Sequence, residues 1–238
     1  MLVLALDTSG AAVTAALHDG RAVVAGRSTP DARRHAELLA PSITAVLDEA
    51  GASRGDITAV AVGVGPGPFT GLRAGVVTAR VLGLALGVEV AGVCSLDALA
   101  LQVARDPGAG VLGSAGAFAV ATDARRHELY WALYEHPSGP GSVPRRLSGP
   151  AVTAPTELPH AVPVAGRGAT LYPEEFAQPA GPLDVDAGAV AELAVRALSS
   201  GPSDRAGRAD RADLLPPEPL YLRRPDAAPP GARKRVLT

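Results

Sequence analysis

The stretch "DITAVAVGVGPGPFTGLRAGVVTARVLGLALGVEVAGV", residues 56 to 93, restricts the fold more than any other part of the chain. "DITAVAVGVG" is an unbroken apolar run, the pattern of a strand buried on both faces. It ends in a turn rich in glycine and proline. "GLRAGVVTARVLGLALG" then reads as an apolar helix with several glycines, and "VEVAGV" as a further strand. A strand, a helix and a second strand in that order form a right-handed crossover in a parallel sheet. The chain is therefore predicted to contain an α/β layered domain.

Three shorter segments precede this unit: "LVLALDTS", "AVTAALHDG" and "RAVVAGRST" read as consecutive strands, with His18, Asp19 and Gly20 turning the second into the third. "RHAELLAPSITAVLDEAG" carries a helical stripe of Leu38, Leu39, Ile43, Val46 and Leu47 that stops at Gly51. Pro41 lies inside it and is predicted to kink it or to start its straight part. "SLDALALQVA" is the helix after the crossover. Texture changes near "ARDPGAG", residues 104 to 110, and beyond it Pro and Gly break the chain into short pieces. Two strands, "AFAVATDA" and "HELYWALYEH", form a hairpin around Asp123 to Arg126, and "AGAVAELAVRALSSG" is a last helix ending at Gly201. The expected division is 1–105, 106–201 and an Arg- and Pro-rich tail, 202–238.

Composition supports a folded protein: 238 residues, of which 47% are hydrophobic, can bury one large core or two modest ones. A net charge of −2 provides no global basic field for nucleic acid. The single Cys94 excludes an internal disulfide, and it does not combine with the scattered histidines into a zinc motif. A reducing cytoplasm fits this usage. The N-terminus reads as a strand and not as a signal peptide, and Arg73 and Arg80 interrupt the longest candidate membrane span.

The glycine-rich turn invites a phosphate-binding reading that its spacing refuses. A P-loop places a lysine and a hydroxyl after its last glycine, where this chain has Leu72 and Arg73; Gly65, Gly67 and Gly71 also miss the dinucleotide spacing by one residue. What remains is a strand end, a turn stiffened by Pro66 and Pro68, and Thr70 as N-cap of the helix. An exposed helix start there could take an anion, which makes Asp7, Thr8, Gly67 and Thr70 candidate contacts for an anion or nucleotide. Asp7 is equally readable as a strand end whose neighbouring hydroxyls satisfy free backbone groups. His35 and Glu37, two apart on a helix, do not face a common metal. Cys94 reads as a small buried hydrophobe. Tyr130 and Tyr134 alternate with Trp131 as core residues of a sheet, not as a stacking site for bases. Arg223, Arg224, Arg233, Lys234 and Arg235 read as a solvated terminus whose charge Asp204, Asp210 and Asp213 dilute.

Several of these segments carry a resemblance. "LALDTSGAAVTAAL", "RHAELLAPSI", the stretch from Asp56 to Ala100, "TDARRHELYWALY" and "PLYLR" are together similar to the TsaB (YeaZ) family of bacterial tRNA threonylcarbamoyladenosine biosynthesis proteins. The resemblance implies an actin/hexokinase/Hsp70-type (ASKHA) fold, with two domains each built on a mixed sheet flanked by helices. It implies a cytoplasmic subunit, not an enzyme alone, that pairs with its paralogue TsaD, works with TsaE and meets tRNA through the complex. A homodimer is the other pairing it suggests. The family's TsaD relatives hold a metal with a His-Leu-Glu-Gly-His motif, and here "CSLDALA" puts Ser95 and Leu99 at the histidine positions and Asp97 at the glutamate. No metal and no catalytic residue are therefore expected, and ATP or ADP only at the joint with TsaD. The implied partner surface is the pair of first-domain helices, carried by His35, Leu38, Leu39, Ser42, Gly71, Ala74, Gly75, Thr78 and Ala79. The alternative is an ATP-dependent phosphotransferase or ATP-binding protein of the same fold, which would use Asp7 and the glycine-rich turn.

Overall fold

The computed structural model describes residues 1–31, 33–106, 116–137, 139, 141–159, 162–176, 181–199 and 214–223. The first sheet has five strands: β1 (Val3–Asp7), β2 (Ala12–His18), β3 (Val23–Pro30), β4 (Ala59–Gly63) and β5 (Glu89–Val93), in the order β3-β2-β1-β4-β5. β1, β2 and β3 pair antiparallel; β1, β4 and β5 pair parallel. Helix α1 (His35–Ala50) joins β3 to β4, α2 (Phe69–Leu86) joins β4 to β5, and α3 (Ser95–Arg105) follows. This is the order read from the sequence, and the sheet is mixed, as expected.

Alternation along β1 divides the core. Leu4 and Leu6 join Leu39, Val46 and Val76 under α1 and α2, while Val3 and Ala5 face the opposite layer. α1 stops at Gly51, which adopts the left-handed conformation (φ 62°) and donates its N–H to Asp48 O.

A second sheet, in the order β8-β7-β6-β9, contains β6 (Ala117–Asp123), β7 (Leu129–Glu135), β8 (Arg145–Thr153) and β9 (Val164–Ala165). β8 and β9 were not foreseen. β8 includes Gly149 and Pro150 and is exposed along much of its length, so it lacks an apolar alternation to read. The five-residue α4 (Arg167–Leu171) and then α5 (Ala187–Leu198) complete the described α-helices.

Two expectations about organisation need correction. α5 was expected within the second domain, yet it packs on β1, β2 and β4 of the first sheet. The small residues Ala5, Ala16, Ala59 and Ala61 on that face leave room for a helix rich in alanine, and one core then runs from Val3 through Val190 to Phe118 of the second sheet. The segment 214–223, expected as irregular tail, is docked. Leu215 exchanges backbone hydrogen bonds of 2.8 and 2.9 Å with Gly92 on the β5 edge, and Leu220 N–H donates to Val64 O at 2.8 Å. Leu215 and Leu220 also pack on the cores. The apolar side chains of "LLPPEPLYL" account for this docking. Arg224, Arg233, Lys234, Arg235, Asp204, Asp210, Asp213 and the stop at Gly201 lie outside the described residues.

α2 is long and apolar enough to cross a membrane by length and composition, the one such helix among the described residues. Arg73 and Arg80 interrupt its apolar run, as read from the sequence. Its Gly71, Leu72, Gly75, Val76, Ala79 and Gly83 are nonetheless buried within the chain.

Candidate functional site

The end of β1 meets the start of α3 in a buried polar knot. Asp7 is 1% exposed. Its Oδ1 accepts from the Ser9 N–H and Ser9 Oγ, each at 2.8 Å, and its Oδ2 accepts from Ser95 Oγ at 2.6 Å. Ser95 Oγ in turn accepts from the Gly65 N–H at 3.0 Å. A methyl at Gly63 would stand 1.7 Å from Asp7 Oδ2, so glycine there lets the carboxylate lie against β4. Burial raises the Asp7 pKa, and the Ser95 and Ser9 hydrogen bonds oppose that rise only in part. Both carboxylate oxygens accept hydrogen bonds from inside the chain.

The glycines of α2 serve the same region. Thr8 Oγ1 donates to Gly71 O at 2.7 Å and accepts from the Gly75 N–H at 2.9 Å. A methyl at Gly71 would stand 2.6 Å from Thr8 O, one at Gly75 2.5 Å from Thr8 Oγ1, and one at Gly67 2.3 Å from Ser9 O. The helix and its entry loop thus lie against the β1–β2 turn. Thr70 does not cap: the N-cap is Pro68, without a side-chain cap, and Thr70 sits exposed in the first turn.

The residues of the expected partner surface divide between buried and half-buried positions. His35, Leu39, Ser42, Gly71, Gly75 and Ala79 are buried within the chain, while Leu38, Ala74 and Thr78 are half-buried. His35 Nε2 lies 3.0 Å from Gly10 O, and Ser42 Oγ donates to Leu38 O at 2.8 Å. The small residues of α2 are thin toward their own sheet. The large apolar residues of the face turned outward are Val77, Val81 and Leu84, which are 58%, 58% and 86% exposed. Sequence reasoning passed over these three, although their spacing of four and three residues is a helical stripe.

A cleft of about 400 Å³ opens between the two sheets. Thr8 and Thr70 of the expected anion contacts line it, with Arg33 and Arg125; Asp7 and Gly67 do not. Arg125 pairs with Asp123 at 3.1 Å, and Arg167, also on the wall, pairs with Asp184.

The segment "CSLDALA" begins α3 as packing. Cys94 is buried, and desolvation pushes its thiol up to about 12. Asp97 accepts from Tyr134 Oη at 2.7 Å and lies 3.4 Å from Arg146. Leu99 is fully buried. Among the described residues there is no group of three or more His, Cys, Asp or Glu arranged to hold a metal. Tyr130 and Tyr134 are buried, with Trp131 on the opposite face.

Comparison with known proteins places this geometry in a family. A model of TsaD, the tRNA N6-adenosine threonylcarbamoyltransferase, matches residues 29–157. The solved structure of YeaZ from Pseudomonas aeruginosa superposes with a TM-score of 0.71 and 31% identity, over 93% of this chain and 99% of that one. The chain belongs to the TsaB (YeaZ) family. The Escherichia coli relative named tRNA threonylcarbamoyladenosine biosynthesis protein TsaB is 38% identical over 138 residues, 57% of this chain and 55% of that protein. An uncharacterized Mycobacterium tuberculosis protein is 41% identical over 231 residues, 95% of this chain and 94% of that one. Within the TsaB family, the glycine-rich turn of this chain is a packing device between α2 and the end of β1.

Proposed function

We propose that this chain is an accessory subunit in the formation of threonylcarbamoyladenosine on tRNA, and that it acts by docking the α1 and α2 layer on a TsaD-type transferase in the cytoplasm. The observation that carries the reading is the outward face of α2. Val77, Val81 and Leu84 stand exposed in a row, and no element among the described residues covers them. Burying an aliphatic side chain fully contributes about 1.5–3 kcal/mol, so three in line suffice to anchor a helix pair. α1 and α2 also fall inside the segment that the TsaD model matches, so the enzyme carries equivalent helices for a like-with-like pairing.

In this reading the chain supplies shape and stability to its partner. TsaE and tRNA join through the assembly, and ATP or ADP is confined to the joint with the transferase. The phosphotransferase alternative has less support, because it needs the Asp7 carboxylate free, and Ser9 and Ser95 occupy it.

The test is reconstitution with TsaD, TsaE, tRNA and threonylcarbamoyl-adenylate, with the natural chain, without it, and with Val77→Asp. The natural chain should support modification, and omission or Val77→Asp should lower the rate at least about tenfold. Full-rate modification without the chain refutes the accessory role.

A further inference from the structure

We propose that Arg73 and Arg80 select the partner of the α2 face, and that the helix set against it carries carboxylates about seven residues apart. This rests on the reading that α2 docks on a TsaD-type transferase. The two arginines are exposed, seven residues apart on the same side as Val77 and Val81, so their stems leave the helix about 10 Å from each other. α2 contains no acidic residue, and among the described residues neither guanidinium forms an ion pair. The face therefore combines an apolar row with two positive charges, Arg73 one turn before Val77 and Arg80 beside Val81.

Arg73 is prepared for this task by another part of the chain. The docked segment 214–223 brings Tyr221 against the start of α2, with its ring 4.8 Å from that of Phe69. The Arg73 guanidinium carbon lies 5.6 Å from the Phe69 centroid and 5.7 Å from the Tyr221 centroid, and Nε donates to Tyr221 Oη at 2.8 Å. With Nε taken, the terminal nitrogens remain for a carboxylate, and the stacked rings hold the planar group in place. An arginine ordered before binding loses less side-chain entropy when the partner arrives.

The same charges oppose self-association through this helix. In an antiparallel crossing of two copies centred on Val77, Arg73 of one copy stands beside Arg80 of the other, and α2 has no carboxylate to separate them. An acidic, apolar helix on an unlike chain fits better.

The experiment measures affinity for the cognate TsaD-type transferase at several salt concentrations, with circular dichroism to check that each variant is folded. Arg73→Glu with Arg80→Glu should weaken binding at least about tenfold at low salt and flatten the salt dependence. Tyr221→Ala should weaken it by about threefold to tenfold, through loss of the prepared Arg73. Unchanged affinity and salt dependence in the double reversal, while Val81→Asp abolishes binding, would refute charge selection and leave the docking reading standing. Intact binding by Val81→Asp would remove both. A natural chain that dimerises through α2 as tightly as it binds the transferase would also refute the selection.

Discussion

Ser95 Oγ donates to Asp7 Oδ2 at 2.6 Å across 88 residues of chain, closing the end of β1 against the start of α3. This one bond explains why a carboxylate at a position suited to phosphate or metal chemistry is held inside the core. Three donors stabilise the anion, but full burial outweighs them and the Asp7 pKa stands above its free value of 3.8.

A pH dependence follows from that sign. The folded chain binds the Asp7 proton more tightly than the unfolded chain, so the contribution of this group to stability falls as pH rises from 3.8 to its raised folded pKa, and is level beyond. Asp7→Asn has no proton to exchange. The stability of the natural chain relative to Asp7→Asn should therefore decline with rising pH across that window. Denaturant midpoints of both proteins from about pH 4 to about pH 7 measure it. A relative stability that rises with pH would mean that the donors outweigh burial.

Gly75 offers a test of the close approach between α2 and β1. Alanine is favoured over glycine in a helix by about 1 kcal/mol, but a methyl here stands 2.5 Å from Thr8 Oγ1, and overpacking costs about 1–3 kcal/mol. With the Gly75 N–H to Thr8 Oγ1 hydrogen bond strained as well, Gly75→Ala should lower stability by about 1–2 kcal/mol. Thr8→Ala removes the obstructing oxygen, so the double variant should be less destabilised than the sum of the singles by about 1 kcal/mol. Strict additivity in urea unfolding would show that the methyl is accommodated elsewhere.

The first sheet was legible because its strands are either continuously apolar or clearly alternating, and its helices stop at Gly51 and Gly87. β8 was illegible because its exposed residues leave no periodicity, and α5 was misplaced because its alanine-rich face fits either layer equally well on paper. At the candidate site, the spacing of Gly71 and Gly75 correctly suggested a thin helix face but not its direction. Direction depends on Thr8, whose contact spans more than sixty residues and leaves no local pattern. Val77, Val81 and Leu84 were readable as a stripe, but a stripe alone does not say whether it faces inward.

Gly92 controls the docking of the segment 214–223. A methyl at this position would stand 2.5 Å from Pro216 O and 2.7 Å from Leu215 O, backbone atoms that cannot turn aside. Gly92→Ala should release the segment, raise hydrogen exchange at Leu215 and Leu220, and lower stability by about 1–3 kcal/mol. Gly26→Ala, where a methyl meets nothing within 4 Å, is the control and should leave exchange in that segment unchanged. Equal exchange in both variants would mean that the side chains of Leu215 and Leu220 hold the segment without the bridge to β5.

Cys94 should be inert in the folded protein. It precedes α3 at 1% exposure, and burial raises its thiol to about 12, so at neutral pH almost no thiolate exists and no reagent reaches it. Alkylation therefore requires global or nearly global opening, and its rate reports stability. In the natural chain a thiol reagent at about pH 8 should modify Cys94 slowly, with the rate rising steeply as denaturant approaches the unfolding midpoint. Gly75→Ala should speed labelling by about fivefold to thirtyfold, the factor that 1–2 kcal/mol represents. Mass spectrometry of the peptide containing Cys94 gives both rates. Rapid labelling in buffer alone would mean that the β5 end opens locally, and would place Cys94 among the reactive groups of the chain instead of its core.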